Sequence, residues 1–248
     1  MSRRRLVVGN WKMHTTRGEA VTLATLLGDA TRRPELDLVV CPPFPWVEVV
    51  GRVLSGSAIA VGAQDCWHEQ SGAYTGQVSP AMLSELCSMV LAGHSEHRRD
   101  AGESNELVGL KAAAALDADL TPVICVGESS ETRQAGEAQH WIAGQVAAVI
   151  QTVGAGQLSR CVFAYEPLWA IGSGMSAGAG DAQEMASSLR EQLRSAAEES
   201  AETVRILYGG SVTGENAAAF VSQPDVDGLL VGGASLNVES FLAIADAC

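Results

Sequence analysis

Positive charge is scarce in this 248-residue chain: 16 lysines and arginines stand against 29 aspartates and glutamates, a formal net charge of −13. That balance argues against nucleic acid or an anionic membrane as a partner, since both are densely negative. Any anionic substrate must then be drawn in by a local device, which is feasible because distant charges are screened beyond roughly 8–10 Å at physiological salt. No run of about 18 apolar residues occurs, so no membrane span is expected. The apolar stretch that follows the N-terminal arginines is too short for a secretory leader. Six cysteines (41, 66, 87, 125, 161 and 248) are scattered without a CxxC pair, which leaves zinc and thiol exchange without a signature. Cys41, Cys125 and Cys161 lie in apolar runs and read as core residues. A reduced, cytoplasmic protein is expected. No linker, charge run or low-complexity tract divides residues 1–248, so one domain is expected.

What the chain does have is core material, at 47% hydrophobic residues. Short apolar, β-branched runs recur at 6–9, 36–40, 58–61, 88–92, 121–126, 160–165, 204–208 and 227–231. Each is followed by a turn and a helix-like stretch. The stretch 181–199 reads as a helix with Asp181 and Glu184 as a capping pair and Met185, Leu189 and Leu193 as its apolar stripe. Residues 105–118 read as another, rich in strong helix formers. Strand runs that are apolar throughout imply burial on both faces, as in a parallel sheet. Eight βα units in about 250 residues fit a closed (β/α)8 barrel. A doubly wound sheet gives the same rhythm and is the alternative.

In a barrel the site lies at the C-terminal strand ends. Those ends carry Asn10 and Lys12, Gln64, then His94, Ser95 and Glu96, then Glu166, and finally the glycine turns 208–211 and 231–235. Pro167 pushes Glu166 toward extended backbone and restricts its carboxylate. Set among Tyr165, Pro167 and Trp169, that carboxylate is a candidate general base. A lysine about 4 Å from a substrate anion gains roughly 4 kcal/mol at an effective dielectric near 20, so Lys12 is the candidate local attractor. Glycine turns let backbone N–H groups approach an oxyanion, which makes the turns 208–211 and 231–235 candidates for phosphate. His94 and His97, with Glu96 between them, make no metalloprotease signature, the other histidines lie elsewhere, and no metal is expected. The run "GSGMSA" at 172–177 matches a dinucleotide fingerprint, but Pro167 and Trp169 separate it from the strand and its helix starts too late. Its glycines instead suit a loop that bends.

The stretches "GNWKM", "GAQ", "GAYTG", "GHSE", "AYEPLWAIGSG", "YGGSV" and "VGGASL", in this order from residue 9 to 236, resemble the motifs of the triosephosphate isomerase family. The resemblance implies a TIM barrel and a cofactor-free aldose–ketose isomerisation of dihydroxyacetone phosphate and D-glyceraldehyde 3-phosphate. Glu166 would be the base and His94 a neutral electrophile. Lys12 and Asn10 would add electrostatic support, with Glu96 in the surrounding network. Gly172, Ser211, Gly232 and Gly233 would hold the phosphate. A lid over 167–177, including Pro167, Trp169, Gly172, Ser173, Gly174, Met175 and Ala177, would close to exclude water. The resemblance also implies a homodimer in which the loop 66–76 reaches the partner through Thr75. Three positions depart from the family pattern. His97 stands where an arginine is usual, Asp65 where an asparagine is, and Met175–Ser176 where a lysine–threonine or lysine–valine pair usually precedes the alanine that is Ala177 here. A paralogue acting on a tetrulose phosphate and a non-catalytic phosphate-binding barrel are the competing readings.

Overall fold

A computed structural model of the protein describes residues 3–30, 35–170 and 177–248. Its strands are β1 (Arg5–Asn10), β2 (Leu36–Cys41), β3 (Ile59–Ala63), β4 (Met89–Ala92), β5 (Thr121–Val126), β6 (Val162–Tyr165), β7 (Arg205–Tyr208) and β8 (Gly228–Val231). They pair in chain order, all parallel, and the ring closes where Leu6 of β1 faces Gly228 of β8 and Gly9 faces Val231. Closure excludes the doubly wound alternative, which leaves two free sheet edges. The architecture is the (β/α)8 barrel that the strand rhythm predicts.

Two cores explain why the strands do not alternate. Leu6, Val8, Val39, Leu91, Val123, Leu207 and Leu230 pack inside the barrel. Their neighbours Val7, Leu38, Val40, Phe163, Ile206 and Leu229 face outward into a larger cluster shared with the helices. With both faces buried, a polar residue at either parity would lose its water, and each buried Val, Leu or Phe contributes about 1.5–3 kcal/mol.

The helix Ala179–Ala196 buries Met185, Leu189 and Leu193 completely, as its stripe predicts. Its start differs from expectation. The chain enters the helix at Ala179, and Asp181 sits inside the first turn, where its carboxylate accepts from the Gly178 N–H at 2.8 Å. Glu184 takes no part in capping and accepts from Gln139 Nε2 at 3.2 Å. Extended backbone at Ala197 then breaks the expected run before a short turn over Glu198–Ala201. The helix Asn105–Asp117 begins where Ser104 accepts from the Leu107 N–H at 3.2 Å. All six cysteine thiols are free, and burial pushes those of Cys66, Cys87 and Cys161 up to about 12. No helix among the described residues is long and apolar enough to cross a membrane.

Candidate active site

The C-terminal ends of β1, β4, β6, β7 and β8 surround a cavity of about 230 Å³. Asn10, Lys12, His94 and Glu166 line it, opposite the glycine turns that bring Ser211, Gly232 and Gly233. Residues from sequence positions 10 to 233 thus meet in one place because parallel strands put all their C-terminal ends on one rim.

Glu166 directly follows β6 and is only 2% exposed. Its backbone N–H donates to the Val126 carbonyl at 2.8 Å, which continues the β5–β6 ladder one residue further. The carboxylate is held at both oxygens: Oε2 accepts from the Ser95 N–H at 2.8 Å, and Oε1 lies 3.0 Å from His94 Nε2. Two glycines make this packing possible. A Cβ at Gly209 would sit 3.0 Å from Glu166 Cγ, and one at Gly127 would overlap the Glu166 carbonyl.

His94 precedes the helix Ser95–Asp100, and its Nδ1 accepts from the Glu96 N–H at 3.3 Å. A ring nitrogen that accepts carries no proton, so in the neutral imidazole the proton is on Nε2, facing Glu166. Burial disfavours the charged ring, but the Glu166 carboxylate at Nε2, helped by Glu96, outweighs it and raises His94 above the usual 6.5.

Lys12 has a left-handed backbone, with φ of 52°, uncommon for a residue with a side chain. Both sides of the strain are tied down. The Lys12 N–H donates to Asn10 Oδ1 at 2.9 Å, and Gln64 Nε2 donates to the Lys12 carbonyl at 2.8 Å. The bend carries the ammonium back over the cavity, where Nζ donates to Glu96 Oε1 at 2.7 Å. Burial pushes the Glu96 carboxyl up, yet Lys12 wins and holds it below the ordinary range. A Cβ at Gly232 would touch Lys12 Cε at 3.4 Å, so the lysine stem runs alongside the glycine turn of β8.

Behind Glu166, Pro167 is buried and its carbonyl accepts from the Ala170 N–H at 2.8 Å. Trp169 donates from Nε1 to Glu128 Oε1 at 2.9 Å. Of the remaining lid expectations, Gly172, Ser173, Gly174 and Met175 lie outside the described residues; Ala177, just after them, is buried. Thr75 is exposed and does not line the cavity of its own chain. Its loop folds on itself, with the Trp67 and Tyr74 rings 5.6 Å apart.

Two of the departures face each other. His97 Nδ1 lies 3.7 Å from Asp65 Oδ2 and 3.5 Å from Glu103 Oε1. The buried Lys111 ammonium sits against both acids, 2.7 Å from Asp65 Oδ1 and in contact with Glu103. Burial raises the Asp65 carboxyl, and Lys111 only partly offsets it. The charge that Asp65 adds is thus met by Lys111 and is not aimed at Glu166.

Four residues contribute in ways the sequence did not announce. Ser95 acts through its backbone N–H, which no residue type announces. Gly127 and Gly209 supply room. Glu128 is wholly buried beside the site, and its signal was available: an acid two residues past β5, close to the place that Glu166 takes one residue past β6.

A closed α/β barrel that gathers a buried carboxylate, an imidazole and an ammonium above glycine turns belongs to the class of barrel enzymes that do acid–base chemistry. Comparison with known proteins narrows the class. Residues 5–248 match the family model described as Triosephosphate isomerase. A triosephosphate isomerase of Moorella thermoacetica is 46% identical over 245 residues, covering 98% of each chain. One from Roseiflexus sp. is 47% identical, covering 96% of this chain and 95% of the relative. One from Pseudomonas paraeruginosa is 46% identical over 247 residues, covering 99% and 98%. The chain belongs to the triosephosphate isomerase family.

Proposed function

We propose that the protein interconverts dihydroxyacetone phosphate and D-glyceraldehyde 3-phosphate through an enediolate, using its own side chains and no cofactor. One observation carries the reading: the buried Glu166 carboxylate lies 3.0 Å from a His94 Nε2 whose other ring nitrogen is already occupied by a backbone donor. Family membership and the relatives' shared name support the substrate pair.

Glu166 is the base that takes the proton from one carbon and returns it to the next. To reach substrate it must leave the Ser95 N–H and His94. Once its charge has moved to the substrate, the partner that raises His94 has gone, and burial with the Glu96 N–H at Nδ1 favours the neutral ring. Neutral His94 then donates from Nε2 to the carbonyl oxygen and stabilises the enediolate. Lys12, positioned by Asn10 and Glu96, supplies the positive charge, while backbone N–H groups at Gly172, Ser211, Gly232 and Gly233 take the phosphate. Residues 167–177 act as the lid that excludes water. The enzyme works as a single domain, in the cytoplasm, and as a homodimer whose 66–76 loop reaches the partner with Thr75.

A coupled assay on purified protein, run with triose and tetrulose phosphates, tests the substrate: a higher kcat/KM for the tetrulose would overturn it. Glu166→Ala is expected to lower kcat by 10²–10⁴-fold, the range of a positioned general base. Near-native turnover in that variant would remove Glu166 from the role of base.

A further inference from the structure

A second strained residue lies close to Lys12. Thr15 has φ of 80°, in the left-handed region, where a β-branched side chain is a genuine outlier. The side chain gains nothing there, since Thr15 Oγ1 is buried without a hydrogen-bond partner among the described residues. The carbonyl does gain: it accepts from Trp46 Nε1 at 3.2 Å. Trp46 ends the short helical turn Phe44–Trp46 after β2, a stretch in which Pro42, Pro43 and Pro45 fix the backbone. Its half-buried ring packs against the outer core, so the donor has a fixed place. Thr16 is anchored on the far side. Its N–H and hydroxyl donate to Glu19 Oε2 at 2.7 and 2.9 Å, at the start of the helix Arg17–Ala30. Strain at Thr15 is therefore left one direction in which to relax, back through the exposed Met13 and His14 to Lys12.

We propose that Trp46 is a positioning residue for Lys12, because its grip on the Thr15 carbonyl keeps residues 12–15 in the bend that carries the ammonium over the cavity. The proposal rests on the reading of Lys12 as the group that attracts the substrate's phosphate. Strained backbone persists only where its surroundings over-determine it. Asn10 and Gln64 fix the bend at Lys12, and Trp46 fixes it at Thr15. Without the indole N–H, Thr15 turns to an ordinary negative φ and pulls the loop with it, so the Lys12 ammonium leaves Glu96 and the cavity. Lys12 attracts the phosphate in the bound substrate and in the transition state alike, so the loss falls on KM more than on kcat.

The test is the binding of inorganic phosphate, followed by calorimetry at low salt, beside KM and kcat for triose phosphate. Trp46→Phe keeps an aromatic ring in the packing and loses the N–H. It is expected to weaken phosphate binding and to raise KM, each about fivefold, the effect of one neutral hydrogen bond, with kcat little changed. Adding Thr15→Gly removes the strain that drives the loop away, because glycine adopts positive φ without steric cost, and should restore most of both values. Lost packing at Trp46 would not be repaired by a change at residue 15. Trp46→Tyr makes the same comparison if the phenylalanine variant does not fold. Unchanged phosphate binding and KM in Trp46→Phe, or a double variant no better than the single, would overturn the role of Trp46 and leave the isomerase reading standing. A protein that shows the expected pattern with phosphate but turns over no triose phosphate would keep Trp46 in its role and overturn the isomerase reading.

Discussion

His94 shows how much of the chemistry is decided by what one ring faces. Glu166 and Glu96 pull it toward the charged form, while burial and the nearby Lys12 ammonium push it away, and in the free protein the carboxylates win. The sign follows. A raised value means the His94–Glu166 pair holds its proton at a higher pH than free histidine does. Activity that needs Glu166 free and His94 neutral is therefore lost as the pH falls through that raised value. NMR titration of the His94 ring should give a midpoint above 6.5 in the wild type. In Glu166→Gln the midpoint should move down, because the dominant raising partner has become neutral while burial stays. A midpoint that does not move would show that Glu166 is not what sets it. Of these facts the sequence disclosed the residues and not their state. "GHSE" and "YEP" mark the pair, but the Glu96 N–H at Nδ1 and the left-handed Lys12 are backbone geometry, written in no side chain.

At the scale of elements, apolar runs reveal strands because both faces of every strand are buried, and each run identified in the sequence falls on a strand to within a residue or two. The edges blur where local turns compete: Arg160 belongs to a helical turn, and β6 starts only at Val162. Helix starts blur for another reason. Asp181 looks like a cap by its type and spacing, yet its carboxylate reaches back to Gly178. Clusters that join separate units are the least legible. Asp65 lies after β3 while Glu103 and Lys111 lie after β4, and nothing in their spacing says that one buried ammonium ties the two segments together. That tie predicts an asymmetric result. Lys111→Met leaves Asp65 and Glu103 buried beside each other without a cation, so urea unfolding should report a loss of about 3–5 kcal/mol. Adding Asp65→Asn removes one of the stranded charges and should recover part of the loss. Equal stability of Lys111→Met and wild type would mean that the cluster does not hold the loop.

Taken whole, the molecule carries a net charge of −13, and the single ammonium in its cavity is already paired with Glu96. On the proposed function, substrate capture then falls to a small, screened region in which the glycine turns share the work with Lys12. The surface of one chain also leaves large apolar groups in water, one of them beside that region. Met13, next to Lys12, is 95% exposed, and Met82 and Tyr74 are 59% and 41% exposed. Each costs free energy in proportion to its apolar area, at about 25 cal/mol per Å², until something covers it. A second copy, with its 66–76 loop laid against this face, is the expected cover. Sedimentation equilibrium should give twice the mass of one chain at micromolar concentration. Thr75→Arg puts a charge at the tip of that loop, where burial in an interface would strip its water. The variant should sediment as a single chain, with kcat/KM reduced at least tenfold because Lys12 and its neighbours lose their cover. A wild-type protein that sediments as one chain at full activity would show that Met13 needs no partner and that the rim is complete within a single barrel.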